Sequence, residues 1–143
     1  MYAQPRALAS YGRIANSESN PLKQIVMLYD GAIKFLNQTA ADIEINDLVA
    51  KAEHSNRALD IINYLHSILD FEKGGTVAES LDKFYRSLMV LILRASAELD
   101  PALMRRAADL LVPVRDAWET NARNMTEATL AVPPKEPQLR LVS

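Results

Sequence analysis

The chain of 143 residues contains no cysteine. Disulfides, thiolate nucleophiles and cysteine-based zinc sites are thereby excluded, and the fold must hold by packing alone, as suits a reducing compartment. Long apolar runs are missing as well. The longest, Leu88 to Leu93, is six residues, against the roughly 20 that span a bilayer. There is no excess of positive charge: 16 basic residues face 18 acidic ones and the pI is near 5.7. A nucleic-acid binder would usually carry a clustered basic footprint. The opening residues Met1 to Arg6 lack the apolar core of a secretory signal. These absences predict a soluble, cytoplasmic protein without a membrane span or a nucleic-acid partner. At this length one domain is expected, and about 68–70% of the unfolded surface can be buried.

Glycine (four) and proline (seven) are scarce and act as punctuation. Residues 1–19 hold no sustained period and read as an N-terminal arm, irregular or partly helical. Asn20 before Pro21 is a helix cap followed by a first-turn proline. A first helix is predicted from Pro21 to about Ile45. Asn46 and Asp47 break it and cap a second, running to about Phe71, where Gly74 and Gly75 supply a stop. Thr76 with Glu79 reads as a capping box opening a third helix that ends near Leu99. Asp100 and Pro101 start a fourth, predicted to reach about Ala128 and to bend or break just before Pro113, which removes an amide donor. Residues 132–143 read as a flexible tail. No alternation argues for a strand. The expected fold is all-α, an antiparallel four-helix bundle over residues 20–131.

Little here promises catalysis. The chain has two histidines, His54 and His66. Twelve residues apart, they stand about 120° from each other on a helix and cannot share a ligand face. Lys51 and Asn63 occupy the places three residues before them, where a bundle metal site needs Glu. Both histidines are expected as polar surface residues. A phosphotransfer or signalling bundle using His54, with Arg57 three residues on, is the main alternative, but its surroundings are incomplete. No nucleophile elbow or phosphate loop is present. No catalytic residue, metal or cofactor is predicted.

What the chain has in surplus is apolar surface. On the third helix Leu81, Phe84, Leu88, Leu91, Ile92 and Ala95 form one stripe, the expected core face. Val90, Leu93 and Ala97 fall on the opposite side, with Met89 on the border. The first helix has a similar surplus at Ile25, Val26, Met27, Leu28 and Tyr29. Gly31 inside it costs about 1 kcal/mol relative to Ala, which suggests close approach of another helix or of a ligand backbone. Two readings of the surplus stay open: a groove for an apolar partner helix, or a seam covered by the bundle itself or by a second copy in a homodimer.

Three segments carry a family resemblance. Met27-Leu28-Tyr29-Asp30-Gly31-Ala32-Ile33, Leu69-Asp70-Phe71-Glu72-Lys73-Gly74-Gly75 and Arg115-Asp116-Ala117-Trp118 resemble, in order, the hallmarks of FliS-type flagellin export chaperones. Tyr11, ten residues before Pro21, looks like the N-terminal tyrosine of that family, so the match covers residues 11 to 120. Gln24 stands where the family usually has leucine, Pro113 falls in a helix usually unbroken, and Glu18-Ser19-Asn20 replaces the usual Thr/Ser-Ala-Ser. The resemblance implies a cytoplasmic, cofactor-free protein that is not an enzyme. It would bind the C-terminal segment of flagellin, block premature polymerisation and deliver the cargo to the flagellar export apparatus. Apolar surplus and resemblance together single out Tyr11, Ile14, Met27, Met89, Val90, Leu93 and Ala97 as partner-binding candidates. Tyr11 and Ile14 are expected to cover part of the groove in the free protein.

Overall fold

The computed structural model describes residues 20–131, with side chains to residue 125; the arm with Tyr11 and Ile14, and the tail, lie outside the described residues. Four helices follow one another: α1 (Pro21–Glu44), α2 (Leu48–Ser67), α3 (Phe71–Ala97) and α4 (Pro101–Ala131). The expected all-α bundle is what forms. The helices make a ring in which α1 packs extensively on α2 and α4, while α3 leans more sparsely on α2 and α4; α1 and α3 stand diagonally.

Side-chain ties show that neighbours run antiparallel. Asn20 at the start of α1 reaches Ala122 near the end of α4, and Glu44 at the end of α1 pairs with Arg105 near the start of α4. Likewise Lys51 of α2 meets Ser96 of α3, and His66 meets Asp82.

Each joint has three residues, and each ends in an aspartate. Asp47 accepts from the Ala50 amide, Asp70 from Glu72 and Lys73, and Asp100 from Leu103. Each carboxylate thereby satisfies orphan amides in the first turn of its helix. The first and third joints share one construction. Asn46 and Leu99 take left-handed φ values of 58° and 53°. The next amide then bonds back five residues, Asp47 to Asp42 at 2.8 Å and Asp100 to Ala95 at 3.0 Å. These are Schellman closures, which satisfy carbonyls in the last turns of α1 and α3.

Two boundaries differ from the sequence expectation. The second helix stops at Ser67 rather than Phe71, because Asp70 already caps α3. A short first turn capped by Asp70 therefore precedes the glycines; Gly75, at φ 53° and ψ −128°, is a non-helical kink, and the long helix resumes after it, where the glycine stop and Thr76 place its start. Nothing lies within 4 Å of a Cβ built on Gly75, so the glycine is required by its backbone angles and not by space. The fourth helix does not break at Pro113: α4 is one 31-residue helix with Pro113 inside it. Pro113 and Asp109, whose carbonyl loses its donor, are both exposed, so water can take the orphaned acceptor.

The core runs the length of the bundle. Trp118 is the largest fully buried side chain, as expected, and Val114 packs against the core in part. Tyr29 of α1 and Tyr85 of α3 meet across the centre, their hydroxyls 2.6 Å apart. Burial pushes both phenols above the ordinary tyrosine value; at Tyr29 the hydrogen bond with Tyr85 and the nearby Trp118 indole draw it back in part.

Candidate functional site

The outward side of α3 is where sequence and structure agree most closely. Leu81, Tyr85, Leu88, Ile92 and Ala95 are buried; Phe84, Leu91 and Met89 are partly buried against the same core. The opposite side, about 180° round the wheel, presents Val90 at 66% exposure, Leu93 at 57% and an exposed Ala97. The flanking cations are held along the helix: Arg86 bonds Asp82 at 3.0 Å and Arg94 bonds Glu98 at 3.1 Å. Such pairs keep both guanidinium groups solvated beside the apolar strip and contribute little to stability. The strip has the composition of a docking face: apolar at its centre and charged at its rim.

The other candidates are distributed differently. Met89 sits on the edge of α3 that faces α2, as a core-edge residue with part of its surface free. Met27 is partly buried on α1. Since α1 and α3 are diagonal in the ring, Met27 and the Val90–Ala97 strip do not share a groove. A single partner touching both must wrap round the bundle. Gly31 is buried in α1.

The histidines are not the free surface groups expected. His54 Nδ1 lies 2.6 Å from the Asp42 carboxylate, and its ring stacks on Phe35 at 6.1 Å. His66 Nε2 lies 2.5 Å from Asp82, which also accepts from Arg86. These two partners hold the Asp82 carboxyl below the usual carboxylate range. Both histidines are only about a quarter exposed. They tie α2 to α1 on one side and to α3 on the other. Arg57, which would have neutralised a phosphate on His54, lies over the Phe35 ring at 5.7 Å, a cation–π placement. Among the described residues no group of three His, Asp or Glu could hold a metal ion, and no helix is long and apolar enough to cross a membrane.

Sequence reasoning missed apolar residues outside the helix wheels. Ile45, Leu48 and Val49 around the first joint are exposed, as are Leu99 in the third joint and Phe71 and Val77 at the start of α3. The available signal was an apolar residue at positions where caps and turns ordinarily take polar ones.

Comparison with known proteins follows the same lines. Residues 4–125 match the family model of the flagellar protein FliS. The chain is 31% identical over 119 residues to the flagellar secretion chaperone FliS of Vibrio cholerae, covering 81% of this chain and 88% of that protein. It is 34% identical over 102 residues to the protein of the same name from Salmonella typhimurium, covering 71% and 76%. With the flagellar secretion chaperone FliSB of Pseudomonas aeruginosa it shares 28% identity over 123 residues, covering 83% and 97%.

Proposed function

The chain belongs to the FliS family of flagellar secretion chaperones, and on that premise we propose that it binds the C-terminal segment of flagellin in the cytoplasm, keeps it from polymerising early and hands it to the flagellar export apparatus. The reading needs no bound cofactor and no chemical step. The observation that carries it is the solvent-facing strip Val90, Leu93 and Ala97 on a helix whose opposite side already fills the core. A client segment that is disordered alone and folds against its chaperone must bury much apolar surface to offset its lost entropy. A long helix face suits this better than an enclosed pocket. Tyr11 and Ile14, three residues apart and so able to share a face of one helical turn, are assigned to the same system: in the free protein they cover part of the groove, and removing residues 1–15 speeds or strengthens binding.

Calorimetry of the full chain with a flagellin C-terminal peptide tests the proposal. The expected result is a one-to-one complex with a strongly negative heat-capacity change and weak salt dependence. Val90→Asp and Leu93→Asp should each weaken binding about tenfold or more, because a carboxylate solvated in the free protein is desolvated in the complex. Both variants should remain folded. Absence of binding to any flagellin refutes the proposal, and unfolding of the two variants would mean that the strip belongs to the core.

A further inference from the structure

One end of the bundle carries apolar side chains for which the fold has no need. The first and third joints lie at that end, since α1 finishes and α2 begins beside the finish of α3 and the start of α4. There Ile45 is 73% exposed, Val49 82%, and Leu48 and Leu99 rather less than half. The local chemistry gives no reason for them. Ile45 is the C-cap of α1, and Leu48 and Val49 stand in the first turn of α2, where exposed polar residues are the usual choice.

Leu99 is the more informative residue. The two joints are built alike, and both place one residue in the left-handed region. The first uses Asn46 there, one of the few residue types that tolerate the conformation at small cost. The third uses a leucine at φ 53° that leaves 42% of its surface in solvent. A bulky residue held in a sparsely populated conformation and half-exposed is an outlier of the kind that clusters at ligand contacts.

The apolar end is continuous with the α3 strip. Lys51 Nζ bonds the Ser96 carbonyl at 3.3 Å, which sets the first turn of α2 against the last turn of α3. Leu48, three residues before Lys51, shares its helix face. Leu93 and Ala97 lead along α3 to the same place. The strip alone is too small for its proposed task. A standard interface engages about 20–30 residues a side, and a segment that orders on binding buries on the order of 1,000–3,000 Å². Three exposed side chains on α3 do not approach that.

We infer that Ile45, Leu48, Val49 and Leu99 form a second contact surface for the same client, so that the bound segment leaves α3 at Ala97 and crosses the end of the bundle onto α2. This rests on the reading of the α3 strip as the client's site. The occupant is an amphipathic segment presenting apolar side chains at intervals. At the end of α3 the Arg94–Glu98 pair flanks this passage, which favours a client carrying charges beside its apolar positions.

The test is calorimetry of the full chain with the flagellin C-terminal peptide, using three variants checked for unchanged helicity and melting. Ile45→Ser with Val49→Ser should weaken binding about tenfold or more, as loss of two apolar anchors does at an interface. Leu99→Asn, which copies the sister joint, should preserve the fold and weaken binding several-fold. A peptide shortened stepwise from either end should at some point lose its sensitivity to these substitutions while remaining sensitive to Val90→Asp. If Val90→Asp weakens binding while the joint variants bind within twofold of the parent, the second surface does not exist. If Val90→Asp is also silent, or no complex forms, the reading of the strip fails and this inference falls with it.

Discussion

The paired tyrosines in the core invite a test that weighs their two hydroxyls separately. The Tyr29 and Tyr85 hydroxyls are hydrogen-bonded to each other at 2.6 Å. Both rings are buried. Tyr29→Phe or Tyr85→Phe alone removes one hydroxyl and strands the other. A buried polar group left without a partner costs about 1–3 kcal/mol. The expected destabilisation is therefore about 1–3 kcal/mol for each single variant. For a domain of this size that is roughly 2–4 °C of melting temperature per kcal/mol. Combining the two substitutions should recover part of the summed loss, since no hydroxyl is then left stranded. Urea titration of the four proteins, followed by the fluorescence of the chain's single tryptophan, gives the complete cycle. Additivity in the double variant would refute the view that each hydroxyl is the other's partner.

Three further outcomes follow from the geometry. Gly75→Ala should lower stability by about 1–3 kcal/mol through backbone strain alone, since the space around its Cβ is open; thermal melting checks this, and no change would mean that the first turn of α3 re-forms freely. Asn20→Ala should cost about 1–2 kcal/mol, because it removes both the cap on the Leu22 amide and the 2.6 Å bond to Ala122; Asn20→Asp, which keeps only the cap, should recover part of that in the same melts. Tyr29 and Tyr85 should stay protonated when exposed tyrosines ionise. Their folded values are raised, so the stability they contribute is fully present below about pH 10, the unfolded value, and is lost as the pH climbs above it. Tyrosinate absorbance should show a late component that appears only with unfolding, and complete ionisation in the folded protein would contradict it.

The bundle was legible because its signals are local and repeated. Asn20-Pro21, Asp47 and Asp100-Pro101 announce helix starts within a few residues of where they occur. The outward placing of Val90, Leu93 and Ala97 needed only the helical period. Errors arose where a signal was real but belonged to a neighbouring element. Ile68 and Leu69 continue the apolar rhythm of α2, so its end was read at the glycines; the chain is turned there by Asp70, which caps the next helix. The expected stripe of α3 holds, with Phe84 packed against the core in part; Tyr85 beside it is buried as well, because the core face is wide enough to take two adjacent positions about 100° apart. Pro113 breaks nothing because its orphaned carbonyl faces water, a fact of burial that the sequence does not announce. The histidine ties were invisible because their aspartates lie on other helices, 12 and 16 residues away. The joint leucine and isoleucine went unread because apolar residues in turns have no periodicity to betray them.

Joints of three residues closed by their own hydrogen bonds also constrain how this molecule can work. A helix so tethered at its ends can neither swing open nor slip by a turn against its neighbours. On the proposed function, the surface along α3 and across the joint end would thus be presented in one shape, occupied or empty. The conformational search on association would fall to the client, with encounter before order. Release would follow the reverse course, an extended guest fraying from its ends while the template keeps its form.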